Sequence, residues 1–283
     1  METEKNFTTA MTAYKNDEYE KCIELFLPIA QGKESDQHIL EAQYYLGLLY
    51  ANGKGVEQDM QQSIYWFEKA AEQNDSYSQD QLARFYYEGE LVERDFNKAF
   101  YWYQRAAELN FPLSKYVLGV IYYLGQDVEK DVAKAIPLLH SAAESKVPNA
   151  PYYLSLIYFN GDGVEVDADK GVYWLQQGAE LGDWMAQRTL ATLHYNGEHL
   201  PKEIENALFW YQHAANGGDD QSACYLTRIY YESKMVPQNL KACAHWAQQA
   251  RLLGNGCADA LWDSAELWRY TDHFYFNDSG AGS

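Results

Sequence analysis

Few residues of this 283-residue chain stand in patterns that could make or break a bond. No H-E-x-x-H, G-x-S-x-G, P-loop or dinucleotide fingerprint occurs, so the spacings that seat a metal, a nucleophile or a phosphate are missing. The seven histidines do not cluster. His194 stands in a column of tyrosines, His213 shares a helix face with Lys69 and Arg105, and His245 falls in an aromatic column. Each reads as structural. Asp167-Ala168-Asp169 hints at a calcium loop, yet Gly171 is misplaced for its sharp turn and Asp167 is accounted for as a helix cap. No catalytic residue, metal ligand or cofactor is expected.

The residues that remain are suited to recognition. One column reads Tyr87, Tyr123, Phe159, Tyr195 and Tyr231, and a second holds Tyr44, Tyr116 and Tyr152. Arg84, Arg188 and Arg228 sit between them on the same helix face. Tyr and Arg dominate binding hot spots, because each offers a large contact area ending in a hydrogen-bonding group. The competing reading is that these rings pack on the adjacent helix, as the Tyr50 column does. It is weaker for the arginines, which need a partner or a route to water when they face a core. The stripe predicts a partner segment that carries carboxylates and apolar anchors.

These residues recur because the chain itself recurs. Trp66, Trp102, Trp174, Trp210 and Trp246 are spaced by 36 or twice 36, with Leu138 in the one gap. Leu46, Leu82, Leu118, Leu154, Leu190 and Leu226 keep the period, as do Tyr50, Tyr86, Tyr122, Tyr158 and Tyr230. Each unit contains two helical patterns. Gly53, Gly89, Gly125, Gly161 and Gly197 end the first, where a left-handed backbone costs least without a Cβ. Asp59, Asp95, Asp131 and Asp167 precede the second, as N-caps. Small residues such as Gly47, Ala83, Gly119, Ser155 and Ala191 mark close helix approach. The expected fold is all-α: a right-handed superhelical α/α solenoid of six 36-residue repeats over residues 40–254. Residues 1–39 read as a capping helical pair, and 255–283 as a capping helix over Ala258 to Tyr270 with a flexible tail from Asn277 to Ser283. A polar connector is expected near Lys33 to Gln37. Pro137 beside Leu138, and Ser233 in place of Gly, mark the third and sixth repeats as irregular.

Composition narrows the partner. With 22 Lys and Arg against 41 Asp and Glu, the formal charge is −19. Such a chain repels phosphate backbones and anionic lipid, so neither nucleic acid nor membrane is expected as a partner. No apolar run of 18 residues and no leader pattern is visible, which predicts a cytoplasmic protein. Cys22, Cys224, Cys243 and Cys257 lack C-x-x-C spacing and are expected to be free thiols, Cys243 replacing the alanines Ala99, Ala135 and Ala207 of other repeats. The acceptor patterns at Asn6 and Asn277 are taken as coincidental.

The run A-x-x-Y-L-G-x-x-Y-x-x-G-x-G-V-x-x-D from Ala42, closed by a W-aromatic-x-x-A-A segment ending at Ala71, resembles the Sel-one-like repeat, a relative of the tetratricopeptide repeat. The resemblance covers residues 40 to 254. It implies a non-enzymatic, protein-binding adaptor or scaffold that holds a protein or peptide ligand in a concave groove, of the kind found in bacterial interaction proteins. An immunity protein that neutralises a toxin is the alternative. A hydrolase of β-lactam-type amides is disfavoured, since the members so described have a Cys pair in each repeat.

Overall fold

The computed structural model describes residues 2–32 and 37–271. Most of the expected connector, 33–36, and the whole tail from Asn277 lie outside the described residues. Among the described residues all regular structure is helical, and no strand occurs. The chain forms two compact units, Met1–Ser145 and Lys146–Ser283.

The first unit holds α1 (Glu2–Lys15), α2 (Tyr19–Ala30), α3 (Gln37–Asn52), α4 (Met60–Ala71), α5 (Ser76–Glu88), α6 (Phe96–Glu108), α7 (Pro112–Leu124) and α8 (Val132–Glu144). The second holds α9 (Ala150–Asn160), α10 (Ala168–Glu180), α11 (Trp184–Asn196), α12 (Ile204–Asn216), α13 (Asp220–Glu232), α14 (Leu240–Leu252) and α15 (Asp259–Ser264). Within each unit a helix packs mainly on its neighbours in sequence, which is solenoid packing of helical hairpins.

The turn between the two helices of a pair is built the same way each time. Gly89, Gly125, Gly161 and Gly197 take φ of 69 to 75° and donate their N–H to the carbonyl four residues back. The chain then doubles back, and the N–H groups of Asp59, Asp95, Asp131 and Asp167 bond the carbonyls of Tyr50, Tyr86, Tyr122 and Tyr158 at 2.9 to 3.0 Å. The same aspartates accept from the first-turn amides of α4, α6, α8 and α10, satisfying donors that the helix cannot. Lys98, Lys134 and Lys170 lie over the rings of Tyr86, Tyr122 and Tyr158. At Ser233, which has no left-handed conformation, α13 ends in extended backbone instead.

Close approach explains the small residues. A Cβ on Gly47 would lie 2.7 Å from the Phe67 ring, and one on Gly119 would lie 2.7 Å from Leu139 Cγ. Leu46, Leu82, Leu154, Leu190 and Leu226 are buried almost completely, as the periodic column requires. Helix α8 runs across Pro137 without interruption.

The carboxy-terminal segment departs from the expectation of one helix over Ala258 to Tyr270. It is a 3-10 turn at Gly256–Ala258, then α15, then a second 3-10 turn at Leu267–Tyr270. The break falls at Ala265 and Glu266, where Glu266 takes φ 48°. Leu267 is thereby turned into the apolar cluster of Cys243, Ala244, Ala247 and Ala258. Burying Leu267 fully is worth roughly 2 kcal/mol, which offsets the cost of one left-handed residue.

Candidate functional site

The structure separates the predicted binding residues into those already engaged and those that face open space. In the first unit Tyr44 is half-buried against the rings of Tyr45, Phe67 and Tyr77, and burial pushes its hydroxyl up to about 12. Tyr87 is half-buried beside Tyr103, with the Arg94 guanidinium 5.8 Å from its ring. Tyr116 is half-buried; Tyr123 is buried, with Lys130 5.0 Å from its ring. Arg84 is exposed and donates to Gln81 Oε1 at 2.8 Å.

In the second unit Tyr152 lies half-buried against Tyr153, and Phe159 stacks on His199 at 5.3 Å. Tyr195 is half-buried with Lys202 6.0 Å from its ring, and the carbonyl of half-buried Tyr231 accepts from Gln238 Nε2. A second periodic device emerges. Arg94, Lys130, Lys202 and Gln238 hold one position in the turn, 36 or 72 residues apart, and each covers the ring or carbonyl of the aromatic column. These covers are not among the residues expected from the sequence, although their own 36-residue spacing marks them.

Arg188 is the sharpest departure from the expected stripe. Its guanidinium bonds Asp219 Oδ1 at 2.7 Å and lies 5.2 Å from the Trp184 ring. Asp219 is itself the buried N-cap of α13, accepting from Ser222 N–H at 2.9 Å. Arg188 thus joins two successive hairpins.

Arg228 differs from it. It is exposed on α13, and among the described residues it has no carboxylate, hydrogen-bond or ring partner. It stands where two hollows of the second unit meet, with Tyr225 and Glu232 shared by both. One, of about 350 Å³, runs to Tyr195, Tyr211 and Ser233. The other, of about 440 Å³, runs to Gln221, Asn255 and Leu261. Tyr211 forms the floor: its ring stacks on Tyr225 at 5.1 Å, and its hydroxyl lies 2.9 Å from Thr192 Oγ1. Burial raises that hydroxyl to about 12, so it stays protonated and neutral at any ordinary pH. A cation beside the exposed Tyr225 ring and apolar side chains can bind a carboxylate together with a neighbouring apolar residue.

The wall of the larger hollow corrects the expectation of four free thiols. Cys224 on α13 and Cys257 in the first 3-10 turn form a disulfide, with Cα atoms 6.2 Å apart. In the 36-residue register Cys257 corresponds to Gln221, one helical turn from Cys224 on the same face, so the fold itself juxtaposes them. Local Cys spacing gives no sign of this pair, which spans 33 residues. Cys22 and Cys243 are free and buried, Cys243 as the small side chain expected of it.

Among the described residues no group of three or more His, Cys, Asp or Glu side chains could hold a metal, and no helix is long and apolar enough to cross a membrane.

Comparison with known proteins agrees with this architecture. Two solved structures align over most of the chain. A Sel1 repeat protein from Oxalobacter formigenes is 28% identical with a TM-score of 0.78, covering 87% of this chain and 99% of that one. The protein c5321, a protective antigen present in uropathogenic Escherichia coli strains and displaying an SLR fold, is 29% identical with a TM-score of 0.73. That alignment covers 94% of this chain and 57% of c5321. The immunity protein Pa5087 from Pseudomonas aeruginosa shares the fold alone, at 20% identity and a TM-score of 0.50 over 79% of this chain and 84% of that one. No curated protein sequence matches. The Sel1 repeat profile matches residues 40–75, 76–111, 112–147, 148–183, 184–219 and 221–255, and with six repeats in the register of its own helix pairs the chain belongs to the Sel1 repeat family.

Proposed function

We propose that this chain is an adaptor that holds an acidic segment of a partner polypeptide in the groove along α13, with Arg228 as its charged anchor. The coarse reading comes with the family, whose repeats are non-catalytic scaffolds for protein–protein interaction. The finer one rests on a single observation: Arg228 is exposed between two hollows and unpaired among the described residues, whereas Arg188 is held by Asp219. A carboxylate entering beside Tyr225 meets a guanidinium with its donors free. Tyr195, Tyr225 and Leu261 offer the apolar contact that hot spots need. Of the remaining predicted residues, Tyr44, Tyr87, Tyr116, Tyr123, Tyr152, Phe159 and Tyr231 take supporting roles at most, since most of their rings are packed or covered, and Arg84, exposed in the first unit, lies outside this groove. A toxin-neutralising role gains nothing specific, because the likeness to an immunity protein is one of fold.

Site-directed photo-crosslinking tests the proposal in the cells that make the protein. A benzoylphenylalanine at Tyr225, exposed in the groove, is expected to yield a discrete adduct. Placed at Tyr173, an equally exposed ring on α10, it is not. Arg228→Glu should abolish the adduct at 225 and leave thermal melting unchanged, the loss corresponding to about 2 to 4 kcal/mol of binding. Adducts from 173 with none from 225 would move the partner to another face.

A further inference from the structure

The groove along α13 owes one wall to the segment after α14, and that segment is tied down covalently. Cys224, Cys257, Asn255 and Leu261 all line the larger hollow. Besides the disulfide, the tie is light. Asn255 Nδ2 donates to Asp220 Oδ2 at 2.8 Å, Arg251 and Asp259 form an exposed ion pair at 3.3 Å, and Arg251 lies over the Trp262 ring. Ala258 and Leu267 are the two fully buried apolar anchors of the segment. The helix α15 itself buries no residue.

We propose that the Cys224–Cys257 disulfide is a redox latch: the oxidised protein has a walled groove at Arg228, and reduction releases the wall and disables binding there. The sulfurs are placed for such exchange. Cys257 is exposed while Cys224 is nearly buried, so a reductant reaches the Cys257 sulfur first. The thiolate of a dithiol reductant forms a mixed disulfide with Cys257, and the S–S bond breaks with Cys224 leaving as the thiolate, which takes up a proton. The second thiol of the reductant then attacks its own bonded sulfur, releasing Cys257 as a thiol and leaving the reductant as a disulfide. Two electrons and two protons pass to the protein in all. The other cysteines do not compete. Cys22 and Cys243 are fully buried, and desolvation raises both thiols, that of Cys243 to about 11. One bond therefore governs the groove wall.

This inference deepens the adaptor reading, and the two can fail separately. Hydrogen exchange of the intact chain, measured without any partner in the presence and absence of dithiothreitol, reads the latch alone. Amides from 257 to 267 should exchange roughly a hundredfold faster on reduction, the scale expected when a loop of this length is no longer closed. Those of α11 and α12 should be unchanged. Iodoacetamide under native conditions should add two adducts to the reduced protein, at Cys224 and Cys257, and none to the oxidised one. Reoxidation should restore the slow exchange, and the Cys224→Ser/Cys257→Ser variant should exchange fast in both conditions. In cells, the crosslink from position 225 should weaken in that variant. Equal exchange of 257 to 267 in both redox states, or a disulfide that dithiothreitol does not open natively, would overturn the latch whatever the crosslinking shows. A missing crosslink at 225 in the oxidised wild type would overturn the groove reading and leave the exchange result standing.

Discussion

Substituting Asp183 by Asn should stabilise the protein at neutral pH and do progressively less as the solution is acidified. Asp183 is the N-cap of α11 and is almost wholly buried. Its Oδ1 accepts from Met185 N–H at 3.0 Å and from Asn149 Nδ2 at 3.2 Å, while its buried Oδ2 has no hydrogen-bond partner. Asp219 has the same place in the next repeat but is paired with Arg188; the residue standing in for Arg188 one repeat earlier is Tyr152, so among the described residues Asp183 has no ion pair, and Arg188 offsets its burial only in small part. Desolvation accordingly raises its carboxyl from an ordinary 3.8 to about 6. A raised carboxyl pKa means that the folded state holds a proton the unfolded chain has lost. Its favourable contribution is complete below about 3.8 and is lost as pH climbs to about 6. A shift of roughly 2 units at about 1.4 kcal/mol each amounts to about 3 kcal/mol. Asn239 and Asn255 cap their own helices through Oδ1, so Asn is a competent cap at 183 as well. Urea unfolding of wild type and variant between about pH 3.5 and 8 isolates the effect, because the other carboxylates cancel in the difference. The advantage of Asp183→Asn should grow through the interval from about 4 to 6 and level off above it. A difference that stays flat across that interval, or shrinks with rising pH, refutes the reasoning.

Three further substitutions test the packing. Arg188→Ala leaves the Asp219 carboxylate, 1% exposed, without its cation, so unfolding should become easier by about 3 kcal/mol. Arg228→Ala, exposed and unpaired, should stay within about 0.5 kcal/mol in the same denaturation series. Gly119→Ala sets a methyl 2.7 Å from Leu139 Cγ and 2.9 Å from its Cδ2, and should cost about 1 to 3 kcal/mol. Unfolding midpoints of these variants check all three estimates. An unaffected Gly119→Ala would mean that α7 and α8 can separate without penalty.

The sequence by itself determined the repeat and what makes it. Columns of Trp, Leu, Tyr and Gly at a spacing of 36 dictate a helical hairpin, its left-handed turn and its capped second helix, because these are local requirements of backbone and periodicity. The aromatic and arginine columns were legible in the same way, as residues sharing a helix face. What the tertiary structure alone decided is which of them are packed or paired and which are exposed. Arg188 and Arg228 share a helix face but stand four residues out of register, and only Arg188 comes within 2.7 Å of Asp219, an N-cap 31 residues on. Cys224 and Cys257 looked unpaired because pairing across 33 residues depends on how the segment after α14 turns back over α13. Beyond α15 the chain bends at Glu266, whose φ of 48° goes with the burial of Leu267 and not with any local preference of Glu. Local periodicity is written in each repeat, but the partner of a side chain is set by whichever neighbouring repeat supplies it, and there a single residue can change the answer.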